Sequence, residues 1–254
     1  MFLDSIHGII ARRILLNYRV DPDALKRVLP PPFQPKIFKG YGIAGVCMIR
    51  FKELRPKFVP SWLGLGSENA AHRIAVQWQQ DDQLQEGVYI PRRDTNSWFN
   101  KSFGGRVFPG IFHHSQFEGS ESQNKLALRI LGAENKTKIE FAGHLAEELP
   151  STSLFSTLEE ASSFFALGST GYSATHSEGH FHGMELHSTD WKIAPLDIET
   201  AKSCLFDDPN QFPAGTAELD CALLMRNVKH EWHSRPDLYS SLDLQTLTTH
   251  RHVR

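Results

Sequence analysis

The residue types best suited to chemistry lie in one stretch of the sequence, RRDTNSWFNKSFGGRVFPGIFHH, at positions 92–114. Alternation along a strand would place Arg92, Asp94 and Asn96 on one face and Arg93 on the other. An arginine that faces a cavity can bind a carboxylate or an enolate through two parallel hydrogen bonds, so we expect Arg92 or Arg93 to bind an anionic group, with Asn96 beside it. The structural alternative is an Arg92–Asp94 or Arg93–Asp94 ion pair that fixes a loop.

The second half of this stretch is a sharp turn followed by a strand. Gly-Gly and Pro-Gly pairs flank Arg106, and their spacing matches no nucleotide-binding loop. We expect Arg106 to line the same site as the other arginines. His113 and His114 would face opposite sides of the next strand, so at most one reaches a cavity, where it would act as an acid or base. A hydrogen-bonded structural histidine is the alternative.

A single glutamate, Glu68, follows a glycine-rich loop in GLGSENAAHR and precedes an apolar strand pattern. This position would direct its carboxylate into the mouth of the sheet, where it could give or take a proton. A turn carboxylate that accepts backbone N–H groups is the alternative reading.

Histidines are concentrated in HSEGHFHGMELH, residues 176–187. His180 and His182 would share a strand face with Glu178, which is a set that could bind a metal ion. The spacing is not a recognised metal motif. We therefore predict no metal site and no cofactor, and we interpret this face as solvated or ligand-lining.

Composition limits the class of protein. Of the 254 residues, 40% are hydrophobic and 22% are charged, which is typical of a soluble globular protein. The net charge of −2 argues against binding to nucleic acid. Three widely spaced cysteines, the lack of a signal-peptide pattern and the lack of an apolar membrane span predict a cytoplasmic protein that binds no membrane. A homo-oligomer is left open.

The elements that must position these residues are mainly strands. Eight are predicted from apolar alternation, at 12–20, 41–51, 72–80, 87–91, 125–133, 136–149, 180–193 and 217–232. Three helices are predicted from capping signals, after Asp21, Thr157 and Asp197. No linker divides the chain, so we expect one mostly β domain over residues 1–254, an antiparallel barrel-like sheet with about three short helices.

Two of the motifs resemble a known family. The segment ILLNYRVDPDALKRVLPPPFQP resembles the opening of acetoacetate decarboxylases, and GSENAAHRIAV resembles their loop and strand that carry a catalytic glutamate. The whole pattern is more similar still to the uncharacterised YqjF-like branch of that superfamily. The resemblance implies a cone-shaped antiparallel barrel with peripheral helices and an internal ligand cavity, and it places Glu68 at the family's acidic position.

The resemblance fails at the catalytic lysine. The decarboxylases carry Pro-Lys-Lys and form a Schiff base, whereas Pro109 is followed here by Gly110 and Ile111, and the nearest lysine is Lys101. We therefore expect no imine chemistry. The sequence predicts a lyase or isomerase that uses acid–base chemistry on a small carbonyl or carboxylate compound, and the alternative is a non-catalytic barrel that binds a small molecule.

Overall fold

The structure is a computed structural model that describes residues 5–97, 110–132, 138–188 and 190–240. Within these ranges the chain is mostly β, with thirteen strands, two α-helices and one 3-10 turn. The strands are β1 Ser5–Val20, β2 Gln34–Pro35, β3 Ile37–Phe38, β4 Tyr41–Pro56, β5 Leu65–Gln80, β6 Gln83–Thr95, β7 Phe112–Glu121, β8 Lys125–Gly132, β9 Lys138–Leu145, β10 Thr170–Ala174, β11 His180–Ser188, β12 Ala194–Ser203 and β13 Ala217–Tyr239. The helices are α1 Pro22–Val28 and α2 Leu158–Leu167, and the 3-10 turn is Ser61–Leu63.

All thirteen strands belong to one sheet. Its order is β11-β10-β6-β7-β8-β9-β12-β13-β1-β4-β5-β2, and β3 pairs with β4. In addition, β11 pairs with β13 and β6 pairs with β5, although the members of each pair are not neighbours in this order. The sheet is mostly antiparallel, as predicted, and the exceptions are the parallel pairings of β6 with β10 and β7.

The eight predicted strands are all present, and most of them extend beyond their predicted ends. β1 was predicted at 12–20 and is observed at Ser5–Val20, because it pairs along its length with β13 and β4. These neighbours satisfy the backbone of Ser5–Ala11, which contains too few alternating apolar residues to be predicted locally.

Two of the three predicted helices are confirmed. The Asp21 side chain accepts from the backbone N–H groups of Asp23 and Ala24, both at 2.9 Å, and Pro22 begins α1. Thr157 caps α2 by accepting from the N–H of Glu160 at 3.1 Å. Neither helix in the described ranges is long and apolar enough to cross a bilayer.

The third predicted helix, after Asp197, was wrong. Residues Ala194–Ser203 form β12, which pairs with β9 and β13. The local capping signal at Asp197 is weak beside these interstrand hydrogen bonds, and the branched residues Ile198 and Thr200 suit a strand.

The strands β13, β1, β4, β5 and β6 form a continuous wall that is buried on both faces. One face packs into the largest core cluster, through residues such as Ile14, Val46 and Ile74. The other face, through residues such as Leu15, Cys47 and Ala75, packs partly under α2, which buries Phe164 and Phe165 there. Successive residues of one strand therefore pack into two different core clusters, one on each face of the wall.

Candidate functional site

A cavity lies against the second face of this wall, and four adjacent strands contribute arginine or cysteine side chains to it. Arg13 comes from β1, Cys47 from β4, Arg73 from β5 and Arg93 from β6. The cavity has a free volume of about 80 Å³. Its remaining lining is mainly apolar and includes Ile49, Phe51, Ile90, Phe112, Met184 and Trp232.

The strand register brings these four residues together. Cys47 lies opposite Ala71, and Ala71 lies opposite Arg93 in the next strand. Ala71 also lines the cavity, and its small side chain leaves room above β5 between Cys47 and Arg93. Arg73 is two residues along β5 from Ala71, on the same face of the strand.

The three arginines have only neutral hydrogen-bonding partners among those found. Arg13 Nε donates to Cys47 Sγ at 3.1 Å, and Arg93 Nε donates to Ser173 Oγ at 3.2 Å. Arg73 donates through Nη2 to the amide oxygen of Asn17. Their remaining contacts include cation–π interactions with Trp191, Phe165 and Phe112.

No Asp or Glu lies among the cavity's described lining residues, and within the described ranges none of the three arginines forms a salt bridge. Two buried donor atoms, Arg13 Nη1 and Arg73 Nε, have no hydrogen-bond partner. Burial lowers the pKa of Arg73 to about 10, an effect that the nearby Cys47 sulfur opposes, and burial also lowers the pKa of Arg93 to about 10. Both guanidinium groups therefore stay charged at neutral pH.

A smaller cavity of about 30 Å³ shares Arg13 and Arg73 with the first. It also contains Lys36 and Glu86, which form an ion pair with each other at 2.5 Å. The carboxylate of Glu86 is thus neutralised by a lysine and does not compensate the arginines.

Glu68 lies on the opposite face of β5 from Arg73. Its carboxylate accepts from Arg12 Nη2 at 2.6 Å and from Arg50 Nε at 2.5 Å. A second carboxylate, Glu121, joins Arg12, Arg50 and Arg226 in the same cluster. Arg12 is only 2% exposed, so the cluster pairs one buried cation and two partly exposed ones with two carboxylates.

Among the described residues, Arg92, Arg93 and Glu68 do not converge on one cavity as predicted. Arg93 lines the cavity, but its lining includes neither Glu68 nor Arg92. Arg92 forms two 3.0 Å hydrogen bonds to the fully buried Asp94, which Ser115 also contacts at 2.8 Å. Arg92 therefore forms the ion pair of the structural alternative, whereas Arg93 lines the cavity.

The other predicted site residues are distributed as follows. The Asn96 side chain accepts from the backbone N–H of Glu68 at 2.9 Å and so joins the ends of β5 and β6. His113 is exposed and His114 is half-buried on β7, and neither lines the cavity. Arg106 and Lys101 lie outside the described residues.

Gly110 occupies the position where the resemblance expects a lysine. Its φ is +93°, and a Cβ added there would lie 2.6 Å from Cβ of Ser173. A lysine at this position would therefore be strained in backbone conformation and would clash with β10.

The sequence analysis did not select Arg13, Arg73 or Cys47. A signal for them exists, because each is a polar or thiol-bearing residue within an otherwise apolar strand pattern. The signal could not show that these residues, from three different strands, line the same cavity.

The histidine-rich segment is arranged differently from the prediction. His180 and His182 contact Asp237 of β13, at 2.8 Å and 3.0 Å, and Glu178 lies before β11 begins. The ligand atoms of His180, His182 and Asp237 lie within 4.8 Å of one another. These three residues could hold a metal ion, so the absence of a metal site stays a prediction.

Comparisons with known proteins support the fold. No curated protein gives a significant match to the chain. Among solved structures, an acetoacetate decarboxylase from Legionella pneumophila superposes with a TM-score of 0.58 at 11% identity, covering 91% of this chain and 87% of that one. The enduracididine biosynthesis enzyme MppR complexed with pyruvate gives 0.55 at 10% identity, covering 92% and 89%. An acetoacetate decarboxylase-like enzyme from Sphingomonas wittichii gives 0.52 at 12% identity, covering 93% and 91%.

At these identities the similarity establishes an acetoacetate decarboxylase-like fold and no activity. A family model described as an uncharacterized conserved protein, DUF2071, matches residues 10–228, which is most of the chain. This match agrees with the YqjF-like resemblance. The chain belongs to the DUF2071 family of uncharacterized conserved proteins, and its fold is acetoacetate decarboxylase-like.

Proposed function

We propose that this protein binds a small organic anion, a carboxylate with a short apolar or carbonyl-containing body, in the cavity formed by Arg13, Arg73 and Arg93. The observation that carries the proposal is the uncompensated positive charge of this cavity. Arg73 is buried, and Arg13 and Arg93 are half-buried. Buried arginines in folded proteins are normally paired, because an isolated buried charge is costly. An anionic ligand would supply the missing partner.

The two arginine N–H donors without partners indicate that the ligand carries hydrogen-bond acceptors. A carboxylate has two oxygens, which can accept from Arg13 Nη1 and Arg73 Nε together, and such charge-assisted bonds are stronger than neutral ones. The apolar walls favour a hydrocarbon or carbonyl body beside the carboxylate over a fully hydrated inorganic anion.

The size of the cavity restricts the ligand further. A free volume of about 80 Å³ is roughly two to three times the ~30 Å³ that one water molecule takes up in the liquid. Short oxo acids such as pyruvate and acetoacetate are of this size. The MppR structure holds pyruvate in a protein of the same fold, which makes pyruvate a sensible first ligand to test.

Neighbouring residues provide a matched test. Arg93→Met removes one of the three cavity cations and keeps an aliphatic side chain, whereas Arg92→Met makes the same change on the other face of β6. We expect pyruvate or acetoacetate binding, measured by isothermal titration calorimetry, to weaken about ten- to hundredfold in Arg93→Met, because a hydrogen bond to a charged group contributes about 1.5–3 kcal/mol.

Arg92→Met should bind the same ligand with unchanged affinity. It should unfold more readily than Arg93→Met, since it leaves Asp94 buried without its arginine. Wild-type protein that binds neither oxo acid nor any other carboxylate of this size would contradict the proposal, as would equal loss of affinity in both variants.

The predicted lyase or isomerase activity with Glu68 as the acid or base remains a separate hypothesis. It requires a ligand in contact with Glu68, whose two carboxylate oxygens are occupied by Arg12 and Arg50. The proposal keeps the expected barrel-like enclosure around the cavity. The pairings β6–β5 and β11–β13, which join strands that are distant in the sheet order, support it.

A further inference from the structure

Cys47 lies among the cationic groups of the cavity and contributes a free thiol to its lining. Building on the proposed anion-binding function, we propose that Cys47 is a nucleophile that forms a thioether by conjugate addition to a small α,β-unsaturated carboxylate. The arginines would hold the carboxylate, and the sulfur would attack the far end of the double bond.

The surroundings of Cys47 are those of a reactive thiol. Reactive cysteines lie in accessible, electropositive sites, whereas structural cysteines are buried among apolar groups. Cys47 is only 4% exposed and packs in the apolar cluster under α2, but it also lines the cavity beside the arginines, through which a small molecule would reach it. Arg13 Nε donates to Cys47 Sγ at 3.1 Å, and Arg93 lies beyond Ala71 in the same row across the sheet. Arg73, which is 6% exposed, lines the same cavity with its Nε unpartnered.

No other side chain of the described lining is equally suited to attack. The lining contains no His, Asp, Glu, Lys or Tyr that could serve as a general base. Ser169 also lines the cavity, but a serine hydroxyl needs a base to become a nucleophile. A thiol reacts through its own thiolate form and needs none.

The chain carries two further cysteines that serve as internal comparisons. Cys221 is fully buried, and burial raises the pKa of its thiol to about 12. Cys204 is half-buried and does not line the cavity. All three are free thiols, so their reactivities can be compared in one sample.

The proposed step is balanced without a further reactant. The sulfur forms a bond to the β carbon of the unsaturated acid, and the electrons of the double bond move to the α carbon. The α carbon then takes up a proton equivalent to the one that the thiol released. The product is a thioether that keeps the ligand's carboxylate beside the arginines.

Two pairs of probes of similar size and different charge test the proposal. Iodoacetate and acrylate are anions, and iodoacetamide and acrylamide are their neutral counterparts. Iodoacetate alkylates the sulfur with loss of iodide and of the thiol proton. Mass spectrometry of the peptides that contain Cys47, Cys204 and Cys221 gives the rate at each site.

We expect Cys47 to react at least about tenfold faster with iodoacetate than with iodoacetamide, because a cationic cleft concentrates anions. Cys204 should show no such preference, and Cys221 should remain unmodified. Acrylate should form an adduct on Cys47, and pyruvate should slow both reactions. Arg93→Met should reduce the preference for the anionic probes.

The inference is overturned if iodoacetate modifies Cys47 no faster than iodoacetamide does, or if acrylate forms no adduct there. Calorimetric binding of pyruvate or acetoacetate to the same protein sample separates the two failures. Intact carboxylate binding with an unreactive Cys47 rejects the nucleophile alone. Absence of both binding and reactivity rejects the proposed function as well.

Discussion

At the scale of single residues, the two arginines of the Arg92-Arg93 pair have opposite environments. Strand alternation sends Arg92 to a buried aspartate and Arg93 to an open cavity. Glu68 and Arg73 also differ in charge compensation. Glu68 forms salt bridges with two arginines, whereas Arg73 has no carboxylate partner in the described chain. The compensated cluster stabilises the fold, and the uncompensated one is suited to a ligand.

Glu68→Gln tests this division. We expect the substitution to lower the free energy of unfolding by roughly 1–3 kcal/mol, because Arg12 would keep its buried charge and lose an anionic partner. Urea denaturation followed by circular dichroism measures the change. Pyruvate affinity should be unaffected.

Glu218→Gln is the control, because Glu218 forms an exposed ion pair with Arg19 and should contribute less than about 1 kcal/mol. If Glu68→Gln instead abolished ligand binding with stability intact, Glu68 would belong to the binding site, as the sequence analysis predicted.

At the scale of elements, the outcome of a local signal depends on what pairs with the segment. Asp21 and Asp197 both precede a short run of residues that suits a helix. Asp21 caps α1, whereas the segment at Asp197 is taken into the sheet between β9 and β13. Interstrand hydrogen bonds and packing outweigh a capping preference of about 1 kcal/mol.

Asp21→Ala should therefore destabilise the protein by about 1 kcal/mol, since the N–H groups of Asp23 and Ala24 lose their acceptor. Asp197→Ala should have a smaller effect, because Asp197 is exposed and caps no helix. Thermal unfolding of both variants gives the comparison. Equal effects would show that the Asp21 cap contributes nothing specific to α1.

At the scale of the whole molecule, buried histidines make the stability depend on pH. Burial lowers the pKa of His72 and of His230 to about 4, below the value of about 6.5 for an unfolded histidine. The unfolded chain binds more protons between these two values. Stability is therefore complete above about pH 6.5 and falls as the pH drops towards 4.

His230→Phe tests this dependence, because both ring nitrogens of His230 are unpartnered and its ring packs near Phe51. Each buried histidine can contribute up to about 3 kcal/mol to the loss of stability between pH 7 and pH 4. We expect a smaller drop in melting temperature between pH 7 and pH 5 for this variant than for the wild type. His187→Gln, at an exposed position, should leave the drop unchanged; a similar change in both variants would contradict the assignment.

The sequence by itself determined the mostly β character, the positions of eight strands, two helix caps and the family. These features depend on local periodicity, capping residues and motifs, which are properties of neighbouring positions in the chain. The sequence also indicated that Arg92 and Arg93 face opposite ways, because alternation is a local rule. It left open which of them pairs with Asp94.

Only the tertiary structure decided which residues share a space. Arg13, Cys47, Arg73 and Arg93 are up to 80 positions apart, and they meet because β1, β4, β5 and β6 pair in one register. Charge compensation is likewise a property of the assembled molecule. Glu68 pairs with Arg12 and Arg50 on one face of the wall, whereas Arg73 lines the cavity on the other face. The pattern of neighbouring residues does not reveal which groups pack against each face.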